Sequence, residues 1–174
     1  APKENVLEEI LGELNELTGL QKVKDEIKGI TNYLNLEKRR AEIGGKKTQL
    51  NLHFVFTGNP GTGKTTVGRI LANVFKSLGL LAKGHLVEAD SSKLVAAYTG
   101  QTAIKTNELI DSAMGGVLLV DEAYTLSSGS NASSFGKEAI DTLLKRMEDD
   151  RGKFLVIAAG YSNEMREFIN TNPG

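Results

Sequence analysis

The chain has 174 residues, enough for one domain with a substantial core. Its 21 Lys and Arg against 22 Asp and Glu leave a formal net charge of -1, which gives no sign of capture of nucleic acid or of an anionic membrane by bulk electrostatics; any phosphate recognition has to be local. The absence of cysteine excludes disulfide staples, thiolate metal sites and thiol redox chemistry, no apolar run approaches the roughly 18 residues of a membrane span, and the acidic opening with Glu4, Glu8 and Glu9 is unlike a signal peptide, so the sequence reads as that of a soluble cytoplasmic protein.

In chain order, Val6, Leu7, Ile10, Leu11, Leu14 and Leu17 recur at three and four, which predicts an amphipathic helix from Glu4 to Leu17. The turn Thr18-Gly19 precedes a longer helix from about Gln21 to Ile43, with Val23, Ile27, Ile30 and Leu34 inward, Glu37-Lys38-Arg39-Arg40 outward and Gly44-Gly45 ending it. Residues 1–45 thus read as a helical segment leading into a core of residues 46–174. In that core, strand-like runs at Leu52 to Phe56, His85 to Ala89, Val117 to Val120 and Phe154 to Ala159 alternate with helical patterns at Lys64 to Leu78, Thr102 to Ala113 and Lys137 to Glu148. Such alternation predicts an α/β fold with a parallel sheet covered on both faces, because parallel strands need crossover connections. The stretch Ser127 to Ser134 is too polar and small to pack and is expected to be a mobile loop. A short helical pattern from about Asn163 to Ile169 precedes Asn172-Pro173-Gly174, an abrupt end for such a domain.

The strongest motif is Gly58-Asn59-Pro60-Gly61-Thr62-Gly63-Lys64-Thr65, a complete G-x-x-x-x-G-K-[ST]. Glycines let consecutive backbone N–H groups turn inward on a polyanion. Lys64 adds a charge for the outer phosphates, Thr65 a hydroxyl for Mg²⁺, and the helix that starts there points its positive end at the anion. At average residue usage the pattern arises by chance in about one chain in a few hundred of this length, and the preceding strand and following helix narrow that further. Asn59, Pro60, Gly61, Thr62, Gly63, Lys64, Thr65 and Thr66 are therefore the candidate contacts to ATP, with Mg²⁺ as its companion ion.

Gly116-Val117-Leu118-Leu119-Val120-Asp121-Glu122 is an apolar strand ending in two carboxylates, at the strand end where ligand sites of parallel sheets lie. Asp121 is the second candidate metal contact, and Glu122 the residue expected to orient and polarise the attacking water. Phosphoryl transfer to water needs a positioned nucleophile and neutralised charge more than covalent help. Many strands end in solvated acids, so the pair gains meaning only from the phosphate loop before it. Glu122 and Lys64 are the candidate catalytic residues.

Taken together, HFVFTGNPGTGKTT, AAYTGQTAIKT, GGVLLVDEAYTL, FGKEAIDTLLKRMED and AAGY, with Thr18-Gly19-Leu20 upstream, resemble the AAA+ ATPases, and within them the group around the Rubisco activase CbbX and the stage V sporulation protein K. The likeness runs through nearly the whole chain. It implies a three-layer α-β-α P-loop NTPase fold, the AAA+ large subdomain, with strand order 1-4-3-2 and with the fifth strand and helical lid missing. It also implies that Thr18, Gly19 and Leu20 lie beside the adenine, that Tyr98 faces the channel of a hexameric ring and contacts a polypeptide substrate, and that Ser127 to Ser134 is similar in position to a second channel loop. Family members continue into arginines that act on a neighbour's ATP, so this chain alone is expected to bind nucleotide and turn it over weakly. One departure is Tyr161, which stands near the place of a polar residue, often Asn, that contacts the outer phosphate; a phosphate-sensing phenol and a tyrosine closing the sheet are both open readings.

Three functions compete: an ATP-driven, ring-forming protein-remodelling motor; an ATP-dependent scaffold or assembly switch with little turnover; and a small-molecule kinase, disfavoured because Asp121-Glu122 suits activation of water. The resemblance implies ATP and further copies of the chain as partners and a protein substrate of unknown identity, while the charge balance and the lack of a long apolar run point to neither nucleic acid nor membrane. His53 and His85 lack metal-ligand spacing and receive no role, and Lys137, Glu138, Lys145, Arg146, Glu148 and Asp149 read as a solvated helix face.

Overall fold

Sheet and helix order follow from where the apolar residues fall. The computed structural model describes residues 21–45, 53–57, 63–96, 98, 100–126 and 134–171 together with Glu9 and Gly12, which are helical. The remainder of the first expected helix, the Thr18-Gly19-Leu20 turn, the start of the phosphate loop and all but Ser134 of the serine-rich stretch lie outside the described residues. Elements run α1 (Gln21–Glu42), β1 (Phe54–Thr57), α2 (Lys64–Ser77), β2 (Leu86–Ala89), α3 (Ser91–Leu94), α4 (Gln101–Ala113), β3 (Val117–Val120), a 3₁₀ turn (Ala123–Leu126), α5 (Ser134–Asp149), β4 (Leu155–Gly160) and α6 (Ser162–Thr171). Among these residues no helix is long and apolar enough to cross a membrane.

The strands form one parallel sheet in the order β1-β4-β3-β2, as expected. Both faces of β3 are buried, so it reads as an unbroken apolar run rather than an alternating one. Val117 and Leu119 face a layer that holds Ile27 and Leu34 of α1 and Val67, Leu71 and Phe75 of α2. Leu118 and Val120 face the opposite layer, with Ile110 of α4, Ile140 of α5 and Met165 of α6. The result is a three-layer α-β-α domain. Each wholly buried side chain, such as Leu71 or Ile110 at 0% exposure, contributes about 1.5–3 kcal/mol.

The bounds of β3 are as expected, and the other elements depart from expectation by at most three residues at either end. β1 begins at Phe54 and runs through Thr57, because His53 leaves the ladder and instead accepts the Val156 N–H at Nδ1, 3.1 Å away. Ser134, assigned by its composition to the mobile loop, opens α5. Helix α3 and the 3₁₀ turn span one turn each, too short to leave a periodic trace.

The face of α5 read as solvated is in part a fastening. Glu138 Oε1 accepts the Ala103 N–H near the start of α4 at 3.2 Å. Arg146 donates through Nε to Asp150 at 2.6 Å, through Nη1 to Asn107 at 3.0 Å and through Nη2 to Asp111 at 2.7 Å. Helix α4 is thus gripped along its length by α5. Lys137, Lys145, Glu148 and Asp149 take no part in these contacts and are exposed.

Candidate active site

Parallel pairing brings the carboxyl ends of all strands to one rim. Thr57 stands opposite Gly160, Val120 opposite Ala158, and Ala89 opposite Val120. The residues that leave the sheet there are the phosphate loop after β1, Asp90 after β2, Asp121-Glu122 after β3 and Tyr161 after β4.

Gly63, the last residue of the loop, has φ +78°, a left-handed conformation that a side chain resists, and it forms the cap of α2. No described side chain caps this helix and its first turn holds no acid. The first helical bond is Val67 N–H to the Gly63 carbonyl at 2.9 Å, so the N–H groups of Lys64, Thr65 and Thr66 precede the ladder and are oriented outward from the helix start. Three aligned donors at the positive helix end, beside a half-buried ammonium and hydroxyl, suit a phosphate. Asn59, Pro60, Gly61 and Thr62 lie outside the described residues.

Asp121 still belongs to the sheet: its N–H donates to the Ala89 carbonyl at 2.8 Å. Glu122 does not. It turns out of the sheet at φ +49°, a left-handed conformation uncommon for a residue with a side chain. Three bonds hold that turn. Glu122 N–H donates to Asp121 Oδ1 at 2.9 Å, and the Glu122 carbonyl accepts both the Thr125 N–H at 3.0 Å and the Thr125 hydroxyl at 2.7 Å. Both carboxylates are exposed and open on a cleft of about 220 Å³ shared with Glu88, Ala89, Asp90 and Lys93. Asp90 accepts hydrogen bonds from the Ser92 hydroxyl and from the Ser92 and Lys93 N–H groups, and the Ser92 hydroxyl foremost holds its carboxyl below the ordinary range.

No cluster of three or more carboxylates and histidines able to cage a metal occurs among the described residues. Mg²⁺ keeps several waters and takes one or two carboxylates plus substrate phosphates, so a strand-end carboxylate and a helix-start hydroxyl on the same sheet rim are donors of the kind that fit it.

Tyr161 lies within this rim. Its ring centroid is 6.0 Å from Lys64 Nζ and 6.4 Å from the ring of Tyr124, which belongs to the 3₁₀ turn after Glu122. Burial above all, then the charges of Glu122 and Glu164, keeps the Tyr124 phenol above its ordinary value, hence protonated at neutral pH. Sequence reasoning passed over Tyr124 and Thr125; their signal is adjacency to the carboxylate pair.

Tyr98 is 70% exposed on the segment between α3 and α4. That segment is braced from α4. Thr102 Oγ1 accepts the Ala96 N–H at 3.1 Å, the Thr106 hydroxyl donates to the Leu94 carbonyl at 2.9 Å, and Lys105 Nζ donates to the Ser92 and Val95 carbonyls at 2.6 and 3.0 Å. Thr102 and Thr106 are fully buried polar residues, a combination that sequence patterning had no reason to single out. Thr18, Gly19 and Leu20 lie outside the described residues.

Comparison with known proteins follows the same lines. Stage V sporulation protein K of Bacillus subtilis (strain 168) is 48% identical over 172 residues, 99% of this chain and 53% of that protein. Protein CbbX of Cereibacter sphaeroides is 47% identical over 167 residues, 95% of this chain and 54% of that protein. The chain spans about half the length of these relatives. Among solved structures, the FIGL-1 AAA domain in complex with ADP shares the fold at a TM-score of 0.54 and 21% identity, covering 86% of this chain and 49% of that one. Residues 54–172 match the ATPase family associated with various cellular activities. The chain therefore belongs to the AAA family of ATPases, in the subgroup that holds stage V sporulation protein K and CbbX.

Proposed function

We propose that this chain is the ATP-binding and ATP-hydrolysing module of a ring-forming motor that remodels a protein substrate. The observation that carries the reading is the convergence on one sheet rim of the α2 start, with Lys64 and Thr65, and the Asp121-Glu122 turn. Lys64 would neutralise the outer phosphates, with the backbone N–H groups of Gly61 to Thr66 cradling them. Thr65 and Asp121 would hold Mg²⁺, which when bound would draw charge from the transferring phosphoryl group. Glu122 would orient a water in line with the outer phosphate. Thr18, Gly19 and Leu20 would border the adenine. Tyr98, exposed on its braced segment, would touch the polypeptide, an amphipathic ring being able to hold an extended chain without sequence preference. Residues 1–45 would form the helical lead into the nucleotide-binding core.

Nucleotide binding and turnover separate the roles. Lys64→Ala is expected to abolish ATP binding in a fluorescence titration, whereas Glu122→Gln is expected to bind ATP as the parent does and to release no phosphate. Equal phosphate release by Glu122→Gln and the parent would remove Glu122 from its role. Measured on a protein of the relatives' full length, specific activity should rise with concentration through the assembly range if neighbours complete the site.

A further inference from the structure

An ammonium placed to grip a triphosphate needs a resting position when no phosphate is there. Lys64 is half-buried at the start of α2, and none of the ion pairs formed among the described residues involves it. What it does meet is the Tyr161 ring, with its Nζ 6.0 Å from the centroid, at the outer edge of cation–π range.

That ring is held from behind. The Tyr161 carbonyl accepts the Met165 N–H at 2.9 Å and so caps α6, while the Tyr124 ring stands 6.4 Å away, tilted by 51°. The preceding residue has to be glycine for this arrangement. A Cβ at Gly160 would lie 2.9 Å from Tyr124 Cδ1 and 2.7 Å from Met165 Sδ. Pairing of Thr57 with Gly160 places Tyr161 next to the point where β1 gives way to the phosphate loop.

We propose that the Tyr161 ring is the resting place of the Lys64 ammonium in the nucleotide-free site, a positioning role that rests on reading Lys64 as a phosphate ligand. Binding then exchanges one partner of the ammonium for another, the aromatic face for phosphate oxygens. The ring weakens nucleotide affinity by the amount it stabilises the empty site, and on release it receives the ammonium back. A contact of this kind at a part-exposed site is worth about a two- to five-fold change in the equilibrium. The hydroxyl has no part in it, so phenylalanine should serve as well as tyrosine.

The test uses the whole chain and its Tyr161→Phe and Tyr161→Leu variants, with ADP as the probe and melting temperature as a check on folding. With lysines labelled at Cε, the Lys64 resonance of the nucleotide-free protein is expected upfield, by ring current, in the parent and in Tyr161→Phe, but not in Tyr161→Leu. Saturating ADP should abolish the upfield shift. In titrations Tyr161→Leu should bind ADP about two- to five-fold more tightly than the parent, and Tyr161→Phe equally. The proposal is overturned if the Lys64 resonance is the same in the parent and Tyr161→Leu, or if Tyr161→Leu binds ADP no more tightly than the parent. Equal weakening in both variants would assign the effect to the hydroxyl and also overturn it. A chain that binds no ADP would refute the proposed function, while the nucleotide-free resonances would still decide whether ring and ammonium meet.

Discussion

Arg146→Met removes three hydrogen bonds and keeps most of the aliphatic stem, so its cost measures the α4–α5 fastening. The bond to Asp150 joins two side chains about 20% exposed, and its loss leaves a half-buried carboxylate without its main partner. A bond to a charged group in such a position is worth about 1.5–3 kcal/mol. The bond to Asp111, whose side chain is 65% exposed, is screened and worth about 0–1 kcal/mol, and that to Asn107 about 1 kcal/mol. Counting the three as one network rather than as independent terms places the total toward the lower end of their sum, about 3 kcal/mol. For a domain of this size that is a fall in melting temperature of about 6–12 °C. With a urea m-value near 2 kcal/mol/M it is a midpoint shift of about 1.5 M at unchanged slope. Arg146→Lys should recover little, because an ammonium cannot serve three acceptors arranged around a planar fork. A midpoint shift below about 0.3 M for Arg146→Met would refute the reasoning and return this face of α5 to solvent.

Three further outcomes follow from other contacts. Gly160→Ala forces a methyl against Met165 and the Tyr124 ring and should cost about 1–3 kcal/mol, read from the same urea midpoints; a neutral substitution would mean that Tyr124 is not held over β4. Lys105→Met frees the Ser92 and Val95 carbonyls, so amides of residues 92–100 should exchange with solvent about tenfold faster while those of α2 stay unchanged; equal rates would show that Lys105 is no brace. Burial lowers the pKa of His53 from its ordinary 6.5, and the neutral ring accepts the Val156 N–H. Between 6.5 and the lower folded value the unfolded chain binds more protons, so stability should fall as pH drops below 6.5. His53→Gln should flatten that part of the profile, and an unchanged slope would exclude His53.

The central elements were legible because their chemistry is written in contiguous residues. Val117 to Val120 are buried on both faces and therefore carry an unbroken apolar run, and Gly63, the described glycine before Lys64, has the left-handed backbone that its place in the motif calls for. Contacts made between distant residues were not. Arg146 meets Asn107 and Asp111 across two helices, and nothing in a charged, helically spaced face distinguishes a fastening from a solvated surface. The same holds for Tyr161, whose neighbours Lys64 and Tyr124 come from two other strand ends. Buried Thr102 and Thr106 were missed because a polar residue inside a helix becomes informative only once its backbone partner, six or twelve residues away outside the helix, is known.

The turn at Glu122 divides the carboxylate pair between two mechanical bodies. Asp121 is laddered to the sheet through its N–H, whereas the Glu122 carbonyl is tied to the 3₁₀ turn through Thr125. A push on Ala123–Leu126, which both α5 and α6 contact, would move Glu122 directly and reach Asp121 only through the bond from the Glu122 N–H to Asp121 Oδ1. On the roles proposed above, ion holding and water activation would then answer unequally to one movement of the 3₁₀ turn, the Glu122 N–H to Asp121 Oδ1 bond being the link between them.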